Sequence, residues 1–149
     1  MMSVGELTDM TIGITGFGGI GQEIARLAKA FRMKVFATKR TPVLSDNLDR
    51  LFKPSELNEM LALCDFVVNC LPSSEDTYKV FSKEQFQSMQ PSAMFINVGR
   101  GESVDEKSLA DALKKRDISF AALDTTDPEP LDSHSPLWTL DNCFITPHD

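Results

Sequence analysis

What this chain lacks narrows its chemistry before any motif is considered. No apolar run among its 149 residues approaches the roughly 20 that a membrane-spanning helix needs, so no membrane partner is expected. The opening Met-Met-Ser-Val-Gly-Glu-Leu has neither the basic nor the apolar region of a secretory leader. Cysteine is scarce. Cys64, Cys70 and Cys143 are an odd set with no close spacing, which reads as small core residues of a reduced, cytoplasmic protein rather than disulfides or metal ligands. No metal site is expected. Positive charge is in deficit: the formal net charge is −7, with eight Lys/Arg against nine Asp/Glu in residues 1–75 and seven against thirteen in 76–149. An acidic domain is a poor match for a phosphate backbone, so no nucleic-acid partner is expected. Anionic small molecules must then be met by individually placed cations.

What remains is ordinary for one globular domain: 42% hydrophobic and 25% charged residues, in a chain long enough to bury a sizeable core. Its strongest signal is Met10-Thr-Ile-Gly-Ile-Thr-Gly16-Phe17-Gly18-Gly19-Ile20-Gly21, an apolar run ending in spaced glycines. A helical pattern follows at once, with Ile20, Ile24, Leu27, Ala28 and Phe31 at the three- and four-residue steps of one face. A strand, a tight glycine turn and a helix are the context in which such spacing binds a dinucleotide. Gly16 permits the sharp turn, Gly18 lets backbone approach a pyrophosphate, and Gly21 lets the helix pack close to the strand. Free N–H groups and the positive dipole end at the helix start suit phosphate. The competing reading is a glycine-rich turn that binds nothing.

Further along, strand and helix patterns alternate. Residues 34–38 read as a second strand, ended by Lys39-Arg40-Thr41-Pro42, and residues 43–53 read as loop. Ser55 reads as the cap of a short helix carrying Leu57, Met60 and Leu61. Residues 65–70 are a third strand. A polar turn over 73–77 leads into a weak helical stretch, and Ser82 caps another reaching Met89. Residues 93–97 are the fourth strand. Ser103 caps a helix starting near Asp105, with Leu109, Ala112 and Leu113 inward and Lys114-Lys115-Arg116 at its negative end. Residues 118–123 and 143–146 are the fifth and sixth strands, separated by a long polar, proline-rich segment. The alternation predicts an α/β fold, a doubly wound parallel sheet of the Rossmann kind. It has about six strands with helices on both faces, and residues 1–149 form one dinucleotide-binding domain.

Ligands bind such sheets beyond the carboxyl ends of the strands. The unusual residues fall there, and one cleft is expected to hold them all. Thr38, Lys39 and Arg40 end the second strand, Cys70-Leu71-Pro72 the third, and Val98-Gly99-Arg100-Gly101 the fourth. Asp124 and Glu129 follow the fifth, and His148 the sixth. A carboxylate about 20 residues past the glycines would bond the ribose hydroxyls of NAD. This chain has Lys39 and Arg40 instead, with no acid near. Two cations suit a 2′-phosphate, so NADP is favoured and NAD stays open. Arg100 lies between glycines whose backbone can take turns closed to other residues, and its fork of donors suits a carboxylate and an adjacent carbonyl. The other reading is an exposed loop arginine. Histidine as a residue type titrates near neutral pH, so His148 can carry a proton, and Glu129 can hold its ring. Alternatively the two are surface groups that never meet. His134, in the polar loop, reads as a bystander.

Taken together and in order, seven segments resemble one family over nearly the whole chain. They are Gly16-Phe17-Gly18-Gly19-Ile20-Gly21, Cys70-Leu71-Pro72, Ile96-Asn-Val98-Gly99-Arg100-Gly101, Ala122-Leu-Asp124, Glu129-Pro-Leu131, Pro136-Leu-Trp138 and Thr146-Pro-His148. The resemblance is to the NAD(P)-binding domain of the D-isomer-specific 2-hydroxyacid dehydrogenases, the group of glyoxylate/hydroxypyruvate reductases and phosphoglycerate dehydrogenase. It implies hydride transfer between NAD(P)H and a small 2-oxo/2-hydroxy acid. Arg100 would orient the acid, His148 would be the acid/base and Glu129 would raise its basicity. Asp124 would lie beside the nicotinamide end, Gly19 and Ile20 over the pyrophosphate, and Lys39 in place of the NAD-selecting aspartate. The cofactor does the difficult step and the protein positions it.

The chain also departs from that family. The family's opening half of a substrate domain is absent, the segment that often builds its dimer is mostly missing, and Thr125-Thr126 replaces an apolar pair. The expectation is a cofactor domain that is inactive without its substrate domain, with a homodimer left open. The alternative is a non-catalytic nucleotide-binding or sensing module of the same descent.

Overall fold

A computed structural model describes residues 6–148. Seven parallel strands form one sheet: β1 (Thr11–Thr15), β2 (Lys34–Thr38), β3 (Arg50–Phe52), β4 (Phe66–Asn69), β5 (Met94–Asn97), β6 (Phe120–Leu123) and β7 (Cys143–Ile145). Their spatial order is β3-β2-β1-β4-β5-β6-β7. The chain leaves β1 outward through β2 and β3, then returns to lay β4 on the other side of β1. That reversal opens a crevice at the carboxyl ends of β1 and β4, where doubly wound sheets receive ligands. All five residues of β1 are buried, as a central strand covered on both faces requires.

Four helices cover the sheet: α1 (Gly19–Ala30), α2 (Leu57–Leu61), α3 (Lys83–Ser88) and α4 (Glu106–Lys115). On one face, α1 packs on Ile12, Ile14, Val35, Ala37 and Val68. On the other, α2, α3 and α4 close a larger core built around Phe81, Phe86 and Phe95. There the rings of Phe81 and Phe95 lie 4.8 Å apart, and Phe86 meets Phe95 edge-on at 5.3 Å. Ser82 stands at the N-cap of α3, where its N–H and its hydroxyl both donate to Gln85 Oε1, at 3.2 and 2.8 Å. The doubly wound α/β expectation is met, with one strand more than expected.

That strand, β3, lies inside the stretch 43–53 that reads as loop. It is only three residues long, too short for a period, and opens on an exposed arginine. Tertiary pairing with β2 forms it. Asp49 fixes its entry, accepting from Val35 N at 2.7 Å and from Lys29 Nζ at 2.5 Å. Burial pushes the Asp49 carboxyl up, but those hydrogen bonds together with the charges of Lys29 and Lys34 outweigh it and hold the group below its ordinary value.

Three local expectations are corrected. The face of α1 that meets the sheet is Gly21, Ala25 and Ala28, while Ile20, Leu27 and Phe31 are exposed. Close approach of helix to strand admits only small side chains, so the larger periodic set is displaced to the flank. Ser55 is no cap: a 3-10 turn over Pro54–Glu56 precedes α2, and Glu56 accepts from Lys53 N at 2.7 Å. Ser103 does not cap α4 either. Asp105 stands at that position, and the Ser103 hydroxyl donates to Arg100 O at 2.6 Å. All three cysteines are free thiols, Cys64 buried and the others half-buried. Burial pushes Cys64 up to about 12 and Cys70 and Cys143 to about 11.

Candidate functional site

The site begins at the glycine turn. Gly16 has φ +87°, and a Cβ there would sit 2.9 Å from Cys70 O, so only glycine lets the ends of β1 and β4 converge. At Gly21 a Cβ would sit 2.5 Å from Gly16 O, which confirms the close helix–strand packing. Gly18 and Gly19 face open space: a Cβ on either would meet nothing within 4 Å. The first turn of α1 holds no acidic residue and no side-chain cap. An open, uncapped helix start beyond a glycine turn fits a pyrophosphate.

Beneath the turn runs a buried polar ladder that the sequence reading missed. Thr15 Oγ1 donates to Asn69 Oδ1 at 3.1 Å, and Asn69 Nδ2 donates to Asn97 Oδ1 at 2.8 Å and Ser103 Oγ at 2.6 Å. Each asparagine also receives the chain as it leaves its strand, from Leu71 N at 3.2 Å and Gly99 N at 3.1 Å. The loops at the crevice are thus hung from the strand ends by satisfied side-chain bonds. The signal was present, since Asn69 and Asn97 each close an apolar strand.

The expected single cleft is two cavities. One, about 360 Å³, is lined by Gly16, Phe17, Thr38, Lys39, Arg40 and Leu71 among others. Pro72 and Gly18 also face it. Lys39 Nζ donates to Phe17 O at 3.0 Å, so the lysine braces the glycine turn. Arg40 pairs with Asp76 at 3.5 Å, which corrects the expectation of no acid near the end of β2. The carboxylate arrives from a turn 36 residues away, where adjacency in sequence gives no hint of it.

The second cavity, about 590 Å³, holds Asp124, Glu129, Thr146 and His148 against Leu131 and Trp138. His148 Nδ1 lies 3.0 Å from Glu129 Oε1 and 3.1 Å from Oε2. The ring hydrogen bond holds the Glu129 carboxyl below its ordinary value, against a smaller push from burial. The Thr126 N–H and the charges of His148 and Arg100 add to it. Thr146 Oγ1 donates to Asp124 Oδ1 at 2.5 Å and fixes that carboxylate. The His134 side chain is 94% exposed, and its ring Nδ1 meets only its sequence neighbours Asp132 and Ser133, at 3.2 and 3.3 Å.

Arg100 is exposed outside both linings, and its NH1 donates to Gly99 O at 2.9 Å. Its flanking glycines do not use the freedom expected of them, since neither has positive φ. They serve close approach instead. A Cβ on Gly99 would lie 2.7 Å from Leu71 O, and one on Gly101 would collide with the Thr126 carbonyl group. Gly101 therefore presses the Arg100 loop onto the segment carrying Glu129. Glu106 completes that join, accepting from Asp127 N at 3.0 Å. Cys70 and Val98 pack half-buried against the α1-side core, and Gly99 is buried. Among the described residues, no three metal-binding side chains cluster, and no helix is long and apolar enough to cross a membrane.

A parallel sheet that reverses at β1 and β4, with a glycine turn feeding a helix at the reversal, defines a dinucleotide-binding α/β domain. Residues 1–149 match the family described as "D-isomer specific 2-hydroxyacid dehydrogenase, NAD binding domain", and the chain belongs to it. The chain is 41% identical over 140 residues to a glyoxylate reductase of Thermococcus onnurineus, covering 93% of this chain and 41% of that protein. A D-isomer specific 2-hydroxyacid dehydrogenase family protein from Aeromonas salmonicida superposes with TM-score 0.94 at 37% identity, over 99% of this chain and 48% of that one. An NADPH-dependent glyoxylate/hydroxypyruvate reductase from Sinorhizobium meliloti, in complex with NADP and sulfate, superposes with TM-score 0.91 at 31% identity, over 99% and 48%. The chain spans less than half the length of these relatives.

Proposed function

We propose that residues 1–149 are the cofactor-binding domain of an oxidoreductase that transfers a hydride between NADP(H) and a small 2-oxo/2-hydroxy acid. NAD is the second cofactor in order of preference. The observation that carries this reading is the Glu129–His148 contact, on the same carboxyl edge as the open glycine turn. A bare nucleotide-binding module has no chemical need for an imidazole braced by a carboxylate there.

When bound, the nicotinamide would supply the hydride. Gly16 to Gly21 would hold the pyrophosphate at the start of α1. Lys39 and Arg40 would face the 2′-phosphate, beside Thr38. Cys70, Leu71, Pro72, Val98 and Gly99 would form the walls toward the nicotinamide, with Asp124 beside the ring. Arg100 would release the Gly99 carbonyl and take the substrate carboxylate in its fork of donors. The Glu129 carboxylate can only accept, so His148 would donate to it from Nδ1 and face the substrate oxygen with Nε2. The additional length of the relatives would supply the substrate-binding half and exclude water from the closed cleft. Three unpaired thiols suit a cytoplasmic setting.

Fluorescence titration of this chain with NADPH and NADH tests the cofactor half of the proposal. The expected result is sub-millimolar binding, tighter for NADPH; no binding of either below millimolar would overturn it. Turnover is tested on the full-length polypeptide with glyoxylate and hydroxypyruvate, the acids for which the relatives are named. There Arg100→Gln and His148→Gln, at residues that would also border the cofactor, should abolish reduction while weakening NADPH binding far less.

A further inference from the structure

The cavity beside the glycine turn has walls of opposite charge. Lys39 and Arg40 extend from the end of β2, and Asp76 enters from the 3-10 turn Glu75–Thr77 that follows β4. Of the two cations, Lys39 is already committed to the Phe17 carbonyl. Arg40 is held loosely: its NH1 is 3.5 Å from Asp76 Oδ2, with side chains 81% and 80% exposed. Such a pair is weak and readily exchanged.

The turn that presents Asp76 is, by contrast, firmly built. Thr77 Oγ1 donates to Pro72 O at 2.6 Å, and Thr77 N and Tyr78 N donate to Ser74 O at 3.1 and 3.0 Å. The backbone that presents Asp76 is therefore held in place at the cavity wall, and the exposed Arg40 guanidinium can swing toward it or away. A phosphate entering the cavity meets a guanidinium with a partner already in place, and a carboxylate of its own sign across from it. An adenosine with a free 2′-hydroxyl meets neither obstacle, because it has no need of Arg40.

Resting on the cofactor reading above, we propose that Asp76 is a specificity-determining residue: it competes with the 2′-phosphate for Arg40 and lowers this chain's preference for NADP over NAD. The glutamate or aspartate usually sought as an NAD selector lies at the end of the second strand. Here the opposing carboxylate reaches the same place from the far wall and acts through the arginine.

Calorimetric titration with adenosine 2′,5′-bisphosphate and with adenosine 5′-phosphate, which differ only by the 2′-phosphate, tests this directly. Asp76→Asn should bind the bisphosphate about two- to fivefold tighter, the range that freeing an exposed ion pair allows, with the monophosphate unchanged within about twofold. In an Arg40→Gln background the gain from Asp76→Asn should shrink, because no guanidinium is left to compete for. An unchanged or lowered ratio of the two affinities in Asp76→Asn would overturn the role of Asp76 and leave the cofactor reading standing. Failure of the wild-type chain to bind NADPH would overturn both.

Discussion

His148 Nδ1 stands 3.0 Å from Glu129 Oε1, joining the segment after β7 to the segment after β6. The ring hydrogen bond, more than any other contact, holds the Glu129 carboxyl below its ordinary value. The folded protein thus binds a proton at Glu129 less readily than the unfolded chain does. The stability this contributes is complete above the unfolded carboxyl value of about 4.3, and is lost as pH falls through the lower folded value. Urea unfolding of wild type and Glu129→Gln should show a stability gap at pH 6 that closes on acidification to pH 3. A gap of constant size would contradict the contact.

Glu106 has the opposite sign. Burial raises its carboxyl first, the charges of Asp127 and Asp105 add to that, and the Asp127 N–H only partly offsets it. Stability associated with this group therefore falls as pH rises from the unfolded value through the raised folded one. Glu106→Gln keeps an oxygen for the Asp127 N–H and removes the charge. Thermal melts should find it at least as stable as wild type at pH 7, with no advantage at pH 3.

Gly101→Ala would place a methyl group against the Thr126 carbonyl and 2.6 Å from Asp127 N. Backbone cannot rotate away as a side chain can, so one of the two loops must shift. A loss of roughly 1–3 kcal/mol is expected from such overpacking. The nuclear magnetic resonance signals of Glu129 and His148 should move with it. A variant of wild-type stability would show the loops to be independent.

Thr125 is 3% exposed, and its Oγ1 has no hydrogen-bond partner among the described residues. Valine has the same shape without the stranded hydroxyl. Thr125→Val should gain about 1 kcal/mol, visible in urea unfolding as a higher midpoint at unchanged slope. Destabilisation would mean that the hydroxyl is satisfied in solution.

Much of this molecule could be read from its residues because the signals were local. Gly16, Gly18 and Gly21 announce their turn by spacing, and the apolar runs at 34–38 and 93–97 announce strands by length. Leu109, Ala112 and Leu113 declare the inner face of α4 by period. The remaining features are carried by distance in space. Arg50-Leu-Phe52 becomes a strand only because β2 offers it an edge, and Asp76 matters only because a turn brings it to Arg40. Residues Ile20, Leu27 and Phe31 kept perfect helical period yet lost the interior to Gly21, Ala25 and Ala28, since periodicity ranks faces by hydrophobicity and packing ranks them by size. At the site, Glu129 and His148 were legible as chemistry but not as neighbours. The glycines beside Arg100 were legible as glycines but not for the crowding that demands them.

The asparagine ladder under the crevice has a practical corollary for anyone reshaping such a domain. Since Asn69 and Asn97 suspend the outgoing chain from within the sheet, the exposed side chains at 72–74 can be exchanged as cargo on a fixed rack. Grafting a different nucleotide preference onto this scaffold should begin with those outer positions, and with the pair Arg40 and Asp76, while the two amides stay untouched.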